Sequence, residues 1–217
     1  MKLNRKTTAR LLTIVTHVGS LLPLALLLWA FFQDQLGADP IREMTLRTGK
    51  TAIILLTLSL ACTPLNIWFG WKQLLPLRKP LGLYAFLYVS VHLLIFVWLD
   101  YGLSWALIQE AIFEKYYALV GFAAFLILLP LAATSTKWAM RKLGKKWKPL
   151  HKWVYLAGIL AVLHYFLLVK NTYAQPVVFG TILALLLLTR ITAVKKRIGS
   201  WRRKLSSRMS RVSPKAS

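Results

Sequence analysis

Six apolar runs, each roughly as long as a bilayer is thick, decide what this chain can fold into. They lie at Leu11–Phe32, Thr51–Phe69, Leu81–Leu99, Tyr116–Thr134, Leu150–Val169 and Val177–Ala193. About 20 apolar residues at about 1.5 Å each cover the roughly 30 Å hydrocarbon core of a membrane. Inside that core every backbone polar group needs a partner, so only helices or a closed barrel can cross. None of the runs alternates as barrel strands do. The reading is therefore an all-α polytopic membrane protein, a bundle of six transmembrane helices. Composition agrees: 57% of the 217 residues are hydrophobic and 16% are charged, against about a quarter charged in soluble domains. A disordered chain is excluded by that apolarity. The single cysteine, Cys62, excludes an intramolecular disulfide framework and any cysteine-based zinc or iron–sulfur site.

Charge sets an orientation. The formal net charge is +23, from 29 basic and 6 acidic residues. All but five of the basic residues fall before the first run, between the second and third, between the fourth run and the start of the fifth, or from Arg190 onward. The acids Asp34, Asp39, Glu43, Asp100, Glu110 and Glu114 all fall in the alternate loops. By the positive-inside rule both termini are cytoplasmic, and an even number of crossings returns the chain to its starting side. Tryptophans mark both interfaces: Trp29, Trp98 and Trp105 on the acidic side, and Trp68, Trp71, Trp138, Trp147 and Trp153 on the basic side. The first apolar run is too long for a signal peptide and reads as an uncleaved span. Residues 1–194 form the six-span domain, and 195–217 form a basic, Ser-rich tail suited to anionic lipid. No nucleic-acid partner is expected, because the charges are divided among apolar segments rather than gathered on one face. No internal repeat is visible.

The spans hold no Asp, Glu, Lys or Arg near a midplane, which speaks against an ion transporter. They do hold histidines: His17, His92, His151 and His164. His92 and His164 lie about eight and six residues from the outer ends of the third and fifth spans, at similar depth. Two neutral imidazoles at one level suit the axial positions of haem b, and they also suit plain helix–helix hydrogen bonds. His151 starts the fifth span, roughly 20 Å from His164 along a helix axis and about 140° away around it. A second haem at the inner level would need another ligand. His17 on the first span is one candidate, though a bond to a neighbouring helix explains it as well. Arg78 and Lys79 lie at the inner depth, where they suit haem propionates or an ordinary basic loop. Tyr84 and Tyr88 share the helical face of His92, and Gly82, Gly121 and Gly158 could admit either a flat ring or a packed helix. Cys62 reads as an inert buried thiol.

At this point several motifs gather. They are Leu36-Gly37-Ala38-Asp39-Pro40, Arg78-Lys79-Pro80-Leu81-Gly82-Leu83 followed by His92, and Thr134-Ser135-Thr136 followed by Arg141-Lys142-Leu143-Gly144-Lys145. The most specific is Leu150-His151-Lys152-Trp153-Val154-Tyr155, followed by His164-Tyr165. The chain resembles the ferric-reductase-like transmembrane family shared with NADPH oxidases, and within it the MsrQ family of haem-binding membrane subunits. That resemblance implies one or two haems b on His92, His164 and His151, with Arg78 beside them, and FMN as a further cofactor. It implies an electron-transfer subunit rather than a catalytic one, in the bacterial inner membrane. The partner would be MsrP, a periplasmic molybdopterin enzyme that repairs methionine sulfoxide in oxidised proteins, forming a heterodimer. The donor would be the quinone pool or a cytoplasmic flavin reductase. The third span carries one histidine where NADPH oxidases carry two. Two other readings stay open, a cytochrome b anchor of another redox complex and a haem-free transporter.

Overall fold

The computed structural model describes residues 5–170, 172–192, 194, 197, 198, 200 and 201. The expected tail over 195–217 lies outside the described residues apart from four positions, as do Lys2 and Ala193. Among the described residues every regular element is helical. The main elements are α1 (Arg5–Phe32), α2 (Pro40–Phe69), α3 (Arg78–Leu94), α4 (Trp105–Glu114), α5 (Tyr116–Ala133), α6 (Lys137–Leu143), α7 (Trp147–His151), α8 (Val154–Leu168) and α9 (Ala174–Leu188). A 3₁₀ segment, Lys72–Leu77, leads into α3, and one π-helical turn, Ile95–Asp100, follows it.

The all-helical membrane fold is as the hydropathy requires, although not every expected span forms one long helix. Among the described residues four helical stretches are long and apolar enough to cross: Thr7–Phe32, Pro40–Phe69, Lys72–Asp100 and Tyr116–Ala133. The fifth expected span is broken. Pro149 has no N–H to continue a regular ladder. Lys152 and Trp153 instead donate to the carbonyls of Pro149 and Leu150 in tight i−3 turns, at 3.1 Å each. The segment Lys137–His151 therefore meets α8 at a 43° bend. His151 sits on α7 and not on the helix that carries His164, so the angle expected along one continuous helix does not apply. The sixth, α9, has 15 residues, or about 22 Å at about 1.5 Å per residue.

The second helix is longer than its apolar run. It begins at Pro40, where proline's fixed φ suits a first helical position. Asp39 caps it by accepting from the Arg42 amide at 3.0 Å. The charged first turns hold because Arg47 pairs with Glu43 at 2.8 Å. Thr45, Thr48 and Thr51 return their hydroxyls to carbonyls four residues back. Gly70 ends the helix at φ +75°, donating to the Asn66 carbonyl.

Two antiparallel helix pairs form the centre: α2 with α3, and α5 with α8. Ala52, Leu56 and Leu60 of α2 meet Leu81, Ala85 and Tyr88 of α3, Leu128 of α5, Ala157 of α8 and Leu183 of α9. Ala85 and Ala157 are 1% and 0% exposed, so small residues let these helices approach closely. On the flank, α1 is tied in by the buried Tyr88 hydroxyl, which donates to the Ser20 carbonyl at 2.8 Å. The outward faces are apolar, with Ile14, Leu22, Leu126 and Leu185 exposed where lipid would lie. Connectivity leaves the acids at one end of the bundle and most bases at the other, called here the acidic and basic ends.

Candidate functional site

His92 comes from the last turn of α3 and His164 from the last turns of α8, so both reach the acidic end. Each ring is held by a backbone carbonyl of the partner helix. His92 Nδ1 lies 3.0 Å from the Thr45 carbonyl on α2, and His164 Nδ1 lies 2.7 Å from the Tyr117 carbonyl on α5. A carbonyl only accepts, so each Nδ1 carries the proton and each Nε2 keeps a free lone pair. This is the tautomer and second-sphere bond of a metal-ligating histidine. The two rings lie side by side within the bundle, with centroids 6.1 Å apart and planes crossed at 88°. Two imidazoles sharing one metal through nitrogens at about 2 Å have centroids roughly 6 Å apart.

The donor set narrows the kind of metal. Among the described residues no group of three or more His, Cys, Asp or Glu could hold an ion. Two imidazoles alone do not close a tetrahedral site. They do fit an iron that already has its in-plane nitrogens from a macrocycle.

Sequence reading brought His92 and His164 to one level but missed what mounts them. A Cβ built on Gly49 of α2 would stand 3.1 Å from His92 Cε1, and one on Gly121 of α5 would stand 2.7 Å from His164 Nδ1. Gly121 thus admits the histidine ring itself, while Gly82 and Gly158 face Ser59 and the side chains of Leu60 and Leu183 in ordinary packing. The mounts are duplicated. Gly49, Ala52, Leu56, Ala85 and His92 recur 72 positions later as Gly121, Ala124, Leu128, Ala157 and His164, with Thr45 and Tyr117 in the same register. The two alanine pairs and the leucine pair are buried in both copies. The α2–α3 pair and the α5–α8 pair thus each supply one imidazole, held on the same kind of mount. The signal available in sequence was the equal spacing from each glycine to its histidine.

The basic end is built differently. His151 stacks on Trp147 at 4.0 Å between centroids. The Thr134 hydroxyl donates to the Pro130 carbonyl at 2.6 Å, so it accepts from His151 Nε2 at 3.0 Å. Trp147 Nε1 donates to the Thr134 carbonyl at 3.0 Å, closing a knot of three side chains. Arg78 turns to Thr63 Oγ1 and the Leu75 carbonyl, both at 3.1 Å. Arg190, counted in the sequence only among the C-terminal bases, donates to the Tyr155 hydroxyl at 2.6 Å and to the Leu60 carbonyl at 2.8 Å, joining the end of α9 to α8 and α2. His17 bonds Tyr84 through Nδ1 at 2.8 Å, so it is brought to the α1–α3 seam and not to His151. Tyr84 and Tyr88 both serve that seam. Cys62 is buried, its thiol donating to the Leu58 carbonyl.

Comparison with known proteins bears on this geometry. Residues 48–162 match the family described as ferric reductase like transmembrane component, a stretch that includes His92 and His151 and stops just short of His164. A protein of Xanthomonas campestris pv. campestris, named protein-methionine-sulfoxide reductase heme-binding subunit MsrQ, is 46% identical over 181 residues, covering 81% of this chain and 83% of its own. A Bordetella pertussis protein of the same name is 43% identical over 187 residues, covering 85% and 91%. One from Xanthomonas axonopodis pv. citri is 45% identical over 183 residues, covering 82% and 84%. No solved structure matches the chain.

Proposed function

The chain belongs to the MsrQ family of heme-binding subunits, built on a ferric-reductase-like transmembrane component, and from that membership we propose that it holds haem b between His92 and His164 and carries electrons across a bacterial inner membrane. The observation that supports this most is the side-by-side pair of imidazoles, both with Nδ1 tied to a carbonyl and their centroids 6.1 Å apart. When bound, the haem supplies one-electron redox chemistry. His92 and His164 would hold its iron, with their tautomers fixed by the Thr45 and Tyr117 carbonyls, and the apolar helices around them would tune its potential.

With the basic end cytoplasmic, both termini lie inside and the histidine pair lies near the periplasmic face. The acids Asp34, Asp39, Glu43, Asp100, Glu110 and Glu114 then border the side from which electrons leave. The acceptor is the periplasmic catalytic subunit MsrP, which turns a methionine sulfoxide, two electrons and two protons into a thioether and water. No flavin or nicotinamide motif is visible, and the basic-end loops are short. A separate donor is therefore required. A membrane quinol, releasing two electrons and two protons on oxidation, meets that need, as does a cytoplasmic flavin reductase. Reducing equivalents enter on the side of His151, Arg78 and Arg190.

The test is a reduced-minus-oxidised spectrum of the purified full chain, followed by mixing the reduced protein with its catalytic partner and a methionine sulfoxide peptide. The expected result is a b-type spectrum that reoxidises only when partner and sulfoxide are both present. A colourless protein, or a haem that the partner cannot reoxidise, overturns the proposal.

A further inference from the structure

We infer that Gly49 and Gly121 are positioning residues, which set the crossed orientation of the two imidazoles and thereby the electronic state of the metal they share. The inference rests on the haem reading above and adds to it the parts that aim the ligands.

Glycine is the poorest helix former short of proline, so one inside a helix needs a local reason. Neither Gly49 nor Gly121 has a positive φ, so backbone conformation does not supply that reason. Both are interior to long helices, α2 and α5. The reason lies in the space beside them. The three heavy atoms nearest to a Cβ at either position belong to a histidine ring. At Gly121 they are His164 Nδ1, Cε1 and Cγ at 2.7, 2.9 and 3.3 Å, and at Gly49 they are His92 Cε1, Nδ1 and Nε2 at 3.1, 3.2 and 4.0 Å. Each glycine stands four residues after the residue whose carbonyl holds the same ring, one helical turn away on one face. Carbonyl and glycine act together. The carbonyl fixes one nitrogen, and the bare Cα lets the ring lie against the helix at one rotation.

Repetition of this mount at a constant offset of 72 positions gives both rings the same seat. The helix pairs deliver those seats so that the ring planes cross at 88°. Ring orientation matters to a metal held between two imidazoles. Crossed planes leave the two metal orbitals that overlap the ligand π systems nearly equal in energy, and parallel planes split them. In a ferric low-spin haem, crossed planes give a strongly anisotropic electron paramagnetic resonance signal, and parallel planes give a rhombic one. The reduction potential moves with the same change.

The experiment compares the full-length protein with Gly121→Ala, Gly49→Ala and Gly158→Ala. It reads haem per protein by pyridine haemochrome, the ferric resonance spectrum, and the midpoint potential. The wild type should show the strongly anisotropic signal. Gly121→Ala puts a methyl group 2.7 Å from His164 Nδ1, so the ring must move and haem affinity should fall about 10-fold or more, as when a ligand loses its outer support. Gly49→Ala asks the ring to give by a few tenths of an ångström, so haem should stay while the signal turns toward rhombic and the potential shifts. Gly158→Ala meets only the flexible ends of Leu60 and Leu183 and should match the wild type. Wild-type haem content and an unchanged signal in both Gly49→Ala and Gly121→Ala would overturn the inference, as would an equal change in Gly158→Ala. Should Gly121→Ala not fold, an unchanged signal in Gly49→Ala alone overturns it. A wild type that binds no haem refutes the functional reading beneath, whereas haem with indifferent glycines refutes only this one.

Discussion

At the acidic end two histidines lie side by side, each with one nitrogen tied to a backbone carbonyl and the other bare. At the basic end one histidine stacks on a tryptophan, and the nitrogen that would meet a metal is engaged by a threonine hydroxyl. Side-chain type is the same in both places, and the difference lies in what fixes it. A carbonyl inside a helix cannot rotate away or exchange donor for acceptor, so the acidic end is organised before any ligand arrives. A hydroxyl on a terminal turn can rotate, and α7 is a single turn set off by a 43° bend. The acidic end therefore seats its rings on backbone, and the basic end ties chain segments together through side chains.

Single substitutions put that contrast at risk. Arg190→Met should have the largest effect on stability, about 1.5–3 kcal/mol, because charge-assisted bonds to the Tyr155 hydroxyl and the Leu60 carbonyl are lost together. Thermal unfolding in detergent would measure it, and the histidine-pair spectrum should stay as it was. A changed spectrum would show that the two ends are not independent. Thr134→Val should cost about 1 kcal/mol by leaving His151 Nε2 unbonded, again with an unaltered spectrum. Tyr88→Phe should cost about 1 kcal/mol by removing one of the bonds that tie α1 to the centre, with thermal unfolding as the readout. Asp39→Ala should be the mildest, about 0.5–1 kcal/mol from the lost cap. It lies on the helix that mounts His92, so a small shift in midpoint potential should accompany it, and none should accompany Thr134→Val.

Much of this was legible in the sequence. Apolar runs gave the helices, alternating charge gave the two ends, and counting from span ends put His92 and His164 at one level. What stayed hidden has physical causes. The start of α2 passed unseen because Arg42, Glu43, Arg47 and Lys50 lower the local hydropathy, while the Asp39 cap and the Glu43–Arg47 pair sustain the helix there. Helix α4 passed as a loop, since its ten residues are too few to span, though Ile108 and Ala111 are buried. The break before α8 depends on two backbone bonds after Pro149, and apolarity does not encode those. The carbonyls of Thr45 and Tyr117 carry no side-chain signature at all, because any residue type supplies one. The matching mounts were obscured because the two helix pairs agree mainly at small or buried positions such as Gly49 and Gly121, while the surfaces around them differ.

The deciding experiment is haem bound per mole of purified full-length protein in His92→Ala, His164→Ala and His151→Ala. With His92 and His164 sharing one iron, the first two variants should each lose most of the b-type absorbance, and the third should retain that of the acidic end. Full absorbance in both His92→Ala and His164→Ala would contradict it.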